Sequence, residues 1–231
     1  MTRIGILSDV HGNPLALSAV LAALAGRCDL CLFAGDLCGY YPFVEECFSL
    51  LRSRDPHPVR GNHDQVFLDC VRSGGAPGSE YEQPYGLGLR RSLETASAEC
   101  RSFLAATPLE HRFEVEARRL FLCHGAPWDP LDGRIYPDFR EWERLENLSA
   151  DYLVVGHTHY QFSLRHGELT VINPGSVGQA RDRSGAACCA ILDLPSGQVE
   201  MKRIPYDATA LIEDSRLHDP GHPYLADVLG R

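Results

Sequence analysis

No stretch of this 231-residue sequence approaches the roughly 18–20 consecutive apolar residues that a membrane-spanning helix requires, so a helical membrane protein is not expected. Positive charge is also scarce: 22 Lys and Arg stand against 31 Asp and Glu, for a formal net charge of -9. Holding long nucleic acid by its phosphates takes clustered Lys and Arg, so no long nucleic-acid partner is expected. Metal ions in an acidic pocket would still reverse the local sign. Internal repeats and low-complexity segments are missing. So are the charged and apolar regions of a targeting peptide, because Met1-Thr2-Arg3-Ile4 leads straight into a strand; the expected location is the cytoplasm.

Cysteine is not scarce, but a disulfide framework is not expected. There are nine, an odd number, and without a secretion signal they read as small buried hydrophobes and free thiols. Cys28 and Cys31 form a C-x-x-C at the start of an apolar run, Leu30 to Ala34, that reads as a strand. Residues three apart on a strand face opposite sides and cannot easily share one ion. Adjacent Cys188 and Cys189 fail for the same reason. With 44% hydrophobic and 23% charged residues the chain is globular, and its length suits one domain spanning 1–231.

The first sixty residues alternate: Arg3 to Leu7 reads as a strand, Pro14 to Ala25 as a helix opened by proline, and Asp29 to Ala34 as a second strand. Pro42 to Arg52 then reads as a helix and Val59-Arg60 as a short strand. This β-α-β-α-β pattern implies an α/β fold with a parallel sheet. A helix over Asp64 to Arg72 runs into Gly74-Gly75-Ala76-Pro77-Gly78, so 74–88 is expected to be a surface excursion. A helix from Leu89 to Leu104 and a hairpin, Glu110 to Cys123, follow. The proline-rich 125–149 connection is expected to overhang a site. Five further strands run from Tyr152 to Ile204, and the tail, 205–231, is expected to lie on the surface with one short helix.

Position carries the functional reading. Asp9-Val10-His11, Gly35-Asp36 and Gly61-Asn62-His63-Asp64 lie just past the first three strands, and His124-Gly125 and Gly156-His157-Thr158-His159 each follow an apolar strand. The carboxyl ends of parallel strands share one edge, so these groups should converge. Carboxylates, imidazoles and an amide oxygen suit two divalent cations, which together can clamp a phosphoryl group and deprotonate a water. Taken singly, an Asp or His after a strand is more often a cap or a satisfied polar residue. Five such motifs in this order are not explained that way.

In this order D-x-H, G-D, G-N-H-D, H-G and G-H-T-H resemble the calcineurin-like metallophosphoesterases, over nearly the whole chain up to Ile204. The resemblance implies a four-layer α/β/β/α sandwich of two mixed sheets flanked by helices. It implies that Asp9, His11 and His159 hold one ion, that Asn62, His124 and His157 hold the other, and that Asp36 bridges them. A metal-bridging hydroxide would attack phosphorus, with His63 as general acid or charge stabiliser and Asp64 orienting its ring. Asn13 would steady the first loop. The phosphoprotein-phosphatase branch continues its bridging motif as G-D-x-x-D-R-G; here Gly35-Asp36 runs on through Leu37-Cys38-Gly39-Tyr40, without that arginine. The stretch Asn173-Pro174-Gly175-Ser176-Val177-Gly178 is instead similar to the small bacterial phosphoesterases.

The expected substrate is therefore a small phosphate ester or phosphoanhydride, nucleotides and dinucleoside polyphosphates included. Tyr40, Tyr41, Trp128 and Tyr136 are candidates to stack a base. Arg134 and Arg181 are candidates to meet a phosphate, beside Asn62. Manganese is the first expectation for the metal, with iron, nickel, cobalt, zinc or magnesium as alternatives. Base rates favour a homodimer. The competing readings are a catalytically silent protein-binding scaffold of the same fold, and a nuclease, which the acidic balance disfavours.

Overall fold

The structure, a computed structural model, describes residues 2–231. Its first half runs β1 (Arg3–Leu7), α1 (Pro14–Leu24), β2 (Leu30–Phe33), α2 (Val44–Arg52), β3 (His57–Pro58), α3 (Asn62–Ser73), α4 (Ser79–Tyr85), α5 (Gly88–Thr95) and α6 (Ala98–Ala106). The second half runs β4 (Glu110–Val115), β5 (Arg118–Cys123), a 3-10 turn (Trp142–Leu145), β6 (Tyr152–Val154), β7 (Gln161–His166), β8 (Leu169–Pro174), β9 (Ala187–Asp193), β10 (Gln198–Ile204), α7 (Thr209–His218) and α8 (Tyr224–Asp227). Among the described residues no helix is long and apolar enough to cross a membrane.

Two five-stranded sheets form, in the orders β10-β9-β1-β2-β3 and β4-β5-β6-β8-β7. In the first, β1, β2 and β3 are parallel while β9 and β10 run antiparallel. In the second, β5, β6 and β8 are parallel and β4 and β7 antiparallel. Period-two alternation sorts the side chains into layers. Ile4, Ile6, Leu32, Leu120, Leu122 and Val154 fill the space between the sheets. Leu7, Phe33, Cys189 and Ile191 point the other way, against the apolar faces of α1, α2, α3 and α6. On the far side of the second sheet, Phe121, Leu153 and Val171 are covered by Ile135, Phe139 and Leu145 of the long connection, whose helical content is the single 3-10 turn. All nine cysteines are free, and eight are buried in these layers.

Local chemistry explains the helix starts. Asn13 caps α1 by accepting from the Ala16 amide at 3.0 Å, with Pro14 at the first helical position, and Gly74 ends α3 with φ 68°. Two expectations need correction. The long helix breaks at Ala96-Ser97, because Ser97 takes an extended conformation and its hydroxyl accepts from the Cys100 amide to start α6. Within 74–88, much of which is exposed, α4 turns Tyr81 and Tyr85 inward against His63. The tail is also no surface appendage: Leu225, Val228 and Leu229 are buried against Tyr40, Tyr41 and Leu211, and the Tyr41 hydroxyl donates to the Leu225 carbonyl at 3.0 Å.

This packing makes the tail part of the stability of the whole. Leu225→Ala is expected to lower unfolding free energy by about 2–5 kcal/mol, the range for truncating a buried leucine. Urea unfolding at constant m-value would measure it.

Candidate metal centre

Five loops at one edge of the two sheets are laced together by backbone hydrogen bonds. Asp9 N donates to Gly35 O at 2.9 Å, Val10 N and His11 N to Asp36 O at 2.8 and 3.0 Å, and Gly156 N to His124 O at 2.8 Å. The second sheet is tied to the first where His157 N meets Asp9 Oδ2 at 3.2 Å. Asn173 and Ser176 of the Asn-Pro-Gly-Ser stretch brace these loops: Asn173 Nδ2 donates to Gly156 O at 2.7 Å, and Ser176 Oγ to Asp9 O at 2.8 Å.

The backbone is strained where the chemistry converges. Asp9, His11, Asp36, His157 and His159 all have positive φ, between 51° and 63°. Such conformations cost about 1–3 kcal/mol each for residues other than glycine and gather at functional sites. Close approach explains one glycine: a Cβ on Gly61 would collide with the Asp36 carboxylate.

Second partners fix the rings. Nδ1 of His11 lies 3.0 Å from Cys38 O, that of His159 2.8 Å from Gln179 O, and that of His124 2.7 Å from Ala34 O. A carbonyl only accepts, so each Nδ1 carries a hydrogen, and Nε2 is the nitrogen that each ring turns inward. His11 Nε2 and His159 Nε2 then face each other at 2.9 Å, with Asp9 Oδ1 3.3 Å from His159 Nε2 and 3.7 Å from His11 Nε2. On the other side His124 Nε2 and His157 Nδ1 lie 3.0 and 3.1 Å from Asn62 Oδ1. Asp36 Oδ2 sits between, 3.2 Å from His124 Nε2 and 3.9 Å from His11 Nε2.

The donor set fits divalent cations. Asp9 and Asp36 are 0% and 1% exposed, and among the described residues no Lys or Arg is paired with either. Burial favours their neutral forms, yet the neighbouring histidines hold both well below the ordinary carboxylate range. Burial likewise opposes a charged His124, but Asp36 pushes that ring up to about 10. Two buried anions thus draw positive charge inward, Asp9 Oδ1 has no hydrogen-bond partner among the described residues, and Nε2 of His11 and Nε2 of His159 point at one another. Cations between these atoms satisfy all three conditions. Groups of three with donor atoms within 4.8 Å form among Asp9, His11 and His159, among Asp9, Asp36 and His124, and among His11, Asp36 and His63.

Above this floor lies a pocket of about 180 Å³, walled by Tyr40, Tyr85 and Tyr136, with Arg134 and Arg181 at its rim and His63 in its lining. A larger cavity of about 290 Å³ beside Cys28, Asp29 and Arg54 opens at the amino end of β2, away from all three groups. Arg134 Nε–H points at His157 Nε2 from 3.2 Å, and an Arg181 amino group lies 3.5 Å from Tyr40 Oη.

Other expected residues are placed elsewhere. Tyr41 is 1% exposed and committed to the tail, so it does not reach the pocket. Trp128 packs beside Phe139 beneath the Arg144 guanidinium, 3.6 Å from its ring centroid. Only the Arg134–Tyr136 part of the 125–149 connection overhangs the site. Asp64 does not touch the His63 ring; its carboxylate accepts from the amides of Asp36, Cys38 and Gly61 at 3.0, 2.9 and 3.1 Å and so clamps the Asp36 loop. His63 Nδ1 contacts Tyr81 Oη instead. Tyr81 and Tyr85 were the residues missed, and their spacing of four within Ser79–Tyr85, which puts both on one helical face, was the available signal.

Residues 2–197 match the calcineurin-like phosphoesterase superfamily domain. An uncharacterised protein of Methanocaldococcus jannaschii, MJ0912, is 30% identical over 224 residues, covering 89% of this chain and 88% of that protein. The crystal structure of a metallophosphoesterase from Sphaerobacter thermophilus superposes with TM-score 0.81 at 28% identity, covering 99% of this chain and 98% of that one. That of hypothetical protein PH1004 from Pyrococcus horikoshii gives 0.82 at 20% identity with the same coverage, a likeness of fold.

Proposed function

The chain belongs to the calcineurin-like phosphoesterase superfamily and is a metal-dependent phosphoesterase, and on that premise we propose that it hydrolyses small phosphate esters or phosphoanhydrides, nucleotides among them, at a two-ion centre. The supporting observation is the convergence of two buried carboxylates and inward-turned imidazole nitrogens on the floor of a small pocket rimmed by arginine. In this reading Asp9, His11 and His159 hold one ion, Asn62, His124 and His157 the second, and Asp36 both, with manganese first among the candidates. Ions held there supply the Lewis acidity that polarises phosphoryl oxygens and activates water.

The chain's own groups do the rest. His63 donates a hydrogen bond to the leaving oxygen, where negative charge develops as its bond to phosphorus breaks and the bond from the water oxygen forms. The protons of that water are shared between the phosphate and the departing oxygen. Asp64 keeps the Asp36 loop in place. Arg134 donates to His157 Nε2, and were His157 to hold an ion through Nδ1, its Nε2 would carry the ring hydrogen instead. Arg134 would then be released to meet a substrate oxygen in the pocket it shares with Arg181. Tyr40, Tyr85 and Tyr136 bound the rest of the substrate, and a volume of about 180 Å³ suits a phosphoryl group with a small attachment.

Arg134→Ala and Arg181→Ala are each expected to raise KM roughly tenfold, about one charge-assisted hydrogen bond, with a smaller change in kcat. The class is tested by stripping the protein with chelator and assaying a phosphomonoester, a phosphodiester and a dinucleoside polyphosphate with manganese, magnesium, nickel or no metal. Metal-restored hydrolysis of at least one is expected. Silence across the panel in a folded protein would favour the non-catalytic scaffold.

A further inference from the structure

The ring of His63 needs an orienting partner, and Asp64 is occupied: its Oδ2 accepts from Asp36 N and Gly61 N at 3.0 and 3.1 Å, and its Oδ1 from Cys38 N at 2.9 Å. We infer that Tyr81 is the positioning residue for His63, its phenolic hydroxyl donating to Nδ1 and so fixing the ring hydrogen on Nε2, the nitrogen offered to the leaving group. This rests on the reading of His63 given above.

Three observations carry it. Tyr81 Oη has His63 Nδ1 as its sole hydrogen-bond partner among the described residues. A phenol, with an ordinary pKa of about 10, keeps its proton at neutral pH and so has one to donate to the single hydrogen-bonding group in reach among the described residues. A nitrogen that accepts carries no hydrogen, so the hydrogen of the neutral ring lies on Nε2. The ring is also held sideways: Tyr81 and Tyr85 meet it edge-on at centroid distances of 5.4 and 4.7 Å, with interplanar angles of 73° and 77°. The segment carrying them is anchored from the tail, where buried Asp219 accepts from Leu87 N at 2.7 Å.

Replacing Tyr81 with phenylalanine keeps the ring and removes the hydroxyl. In the metal-loaded enzyme Tyr81→Phe is expected to lower kcat about tenfold with KM and bound metal unchanged, as for other orienting partners one shell out. The loss should be larger for phenyl phosphate than for 4-nitrophenyl phosphate, whose leaving group needs less help. In a His63→Ala background the same change should cost nothing further, because a residue acting through His63 has nothing left to orient. A readout independent of turnover is long-range ¹⁵N–¹H NMR of histidine in the metal-free protein: His63 should be the Nε2–H tautomer, and a mixture in Tyr81→Phe. A fully active Tyr81→Phe, an equal loss in both backgrounds, or an Nδ1–H tautomer in the unsubstituted protein would overturn the inference and leave the role of His63 standing. A fully active His63→Ala would overturn both.

Discussion

Asp36→Asn is expected to abolish stoichiometric binding of the ion pair and to lower kcat/KM on the order of a thousandfold or more, while the protein stays folded. The carboxylate is 1% exposed; Oδ1 accepts from His63 N at 2.9 Å, and Oδ2 lies 3.2 Å from His124 Nε2. Asparagine retains the shape and one acceptor oxygen, so the loops it ties should close as before. What it loses is the charge that would offset the two cations of the proposed centre. In the metal-free protein the substitution also removes the partner that holds the His124 ring up at about 10, so the thermal midpoint of the metal-free variant is expected to fall at neutral pH without loss of the fold. Metal content by mass spectrometry, read beside circular dichroism, separates these effects. A variant that kept both ions and full activity would contradict the bridging role.

His63→Ala has the second-largest expected effect, and it differs in kind. Its ring is buried at the pocket, but the ion-holding groups proposed here do not include it, and its backbone amide, which bonds Asp36, survives the substitution. Bound metal and KM should change little, whereas kcat should fall about 10²–10³-fold, the usual loss when one donor to a developing charge is removed. Steady-state kinetics on metal-loaded protein measure the split. A loss of metal with the loss of rate would instead place His63 among the ligands, which its proximity to His11 and Asp36 makes a real alternative to exclude.

What the sequence made legible follows from how each signal arises. The strands that end at Leu7, Phe33 and Cys123 are short apolar runs followed at once by polar motifs, and the common edge of parallel strands does the gathering, so the meeting of Asp9, Asp36 and His124 could be read without coordinates. Positive φ at those residues could not, since it is set by the hydrogen bonds between loops that converge. The role of Asp64 was obscured because a carboxylate next to His63 in sequence sits on the turn of α3 that faces the Asp36 loop, not on the face its neighbour presents. Tyr41 and Trp128 illustrate the ambiguity of loop aromatics: each found apolar surface to bury, in the tail and over the second sheet. Glycine and proline around 74–88 masked a helix of about two turns whose stability comes from packing, which periodicity over seven residues does not reveal. The tail, too short and polar to suggest a core, is held by the complementary face of Tyr40 and Tyr41.

The central claim, that two ions share one carboxylate at this edge, is tested most directly by anomalous diffraction from crystals soaked in manganese. Two peaks about 3.5–4 Å apart are expected, with Asp36 touching both, Asp9, His11 and His159 around one, and Asn62, His124 and His157 around the other. A single peak that Asp36 does not touch, or none at saturating metal, would contradict the account.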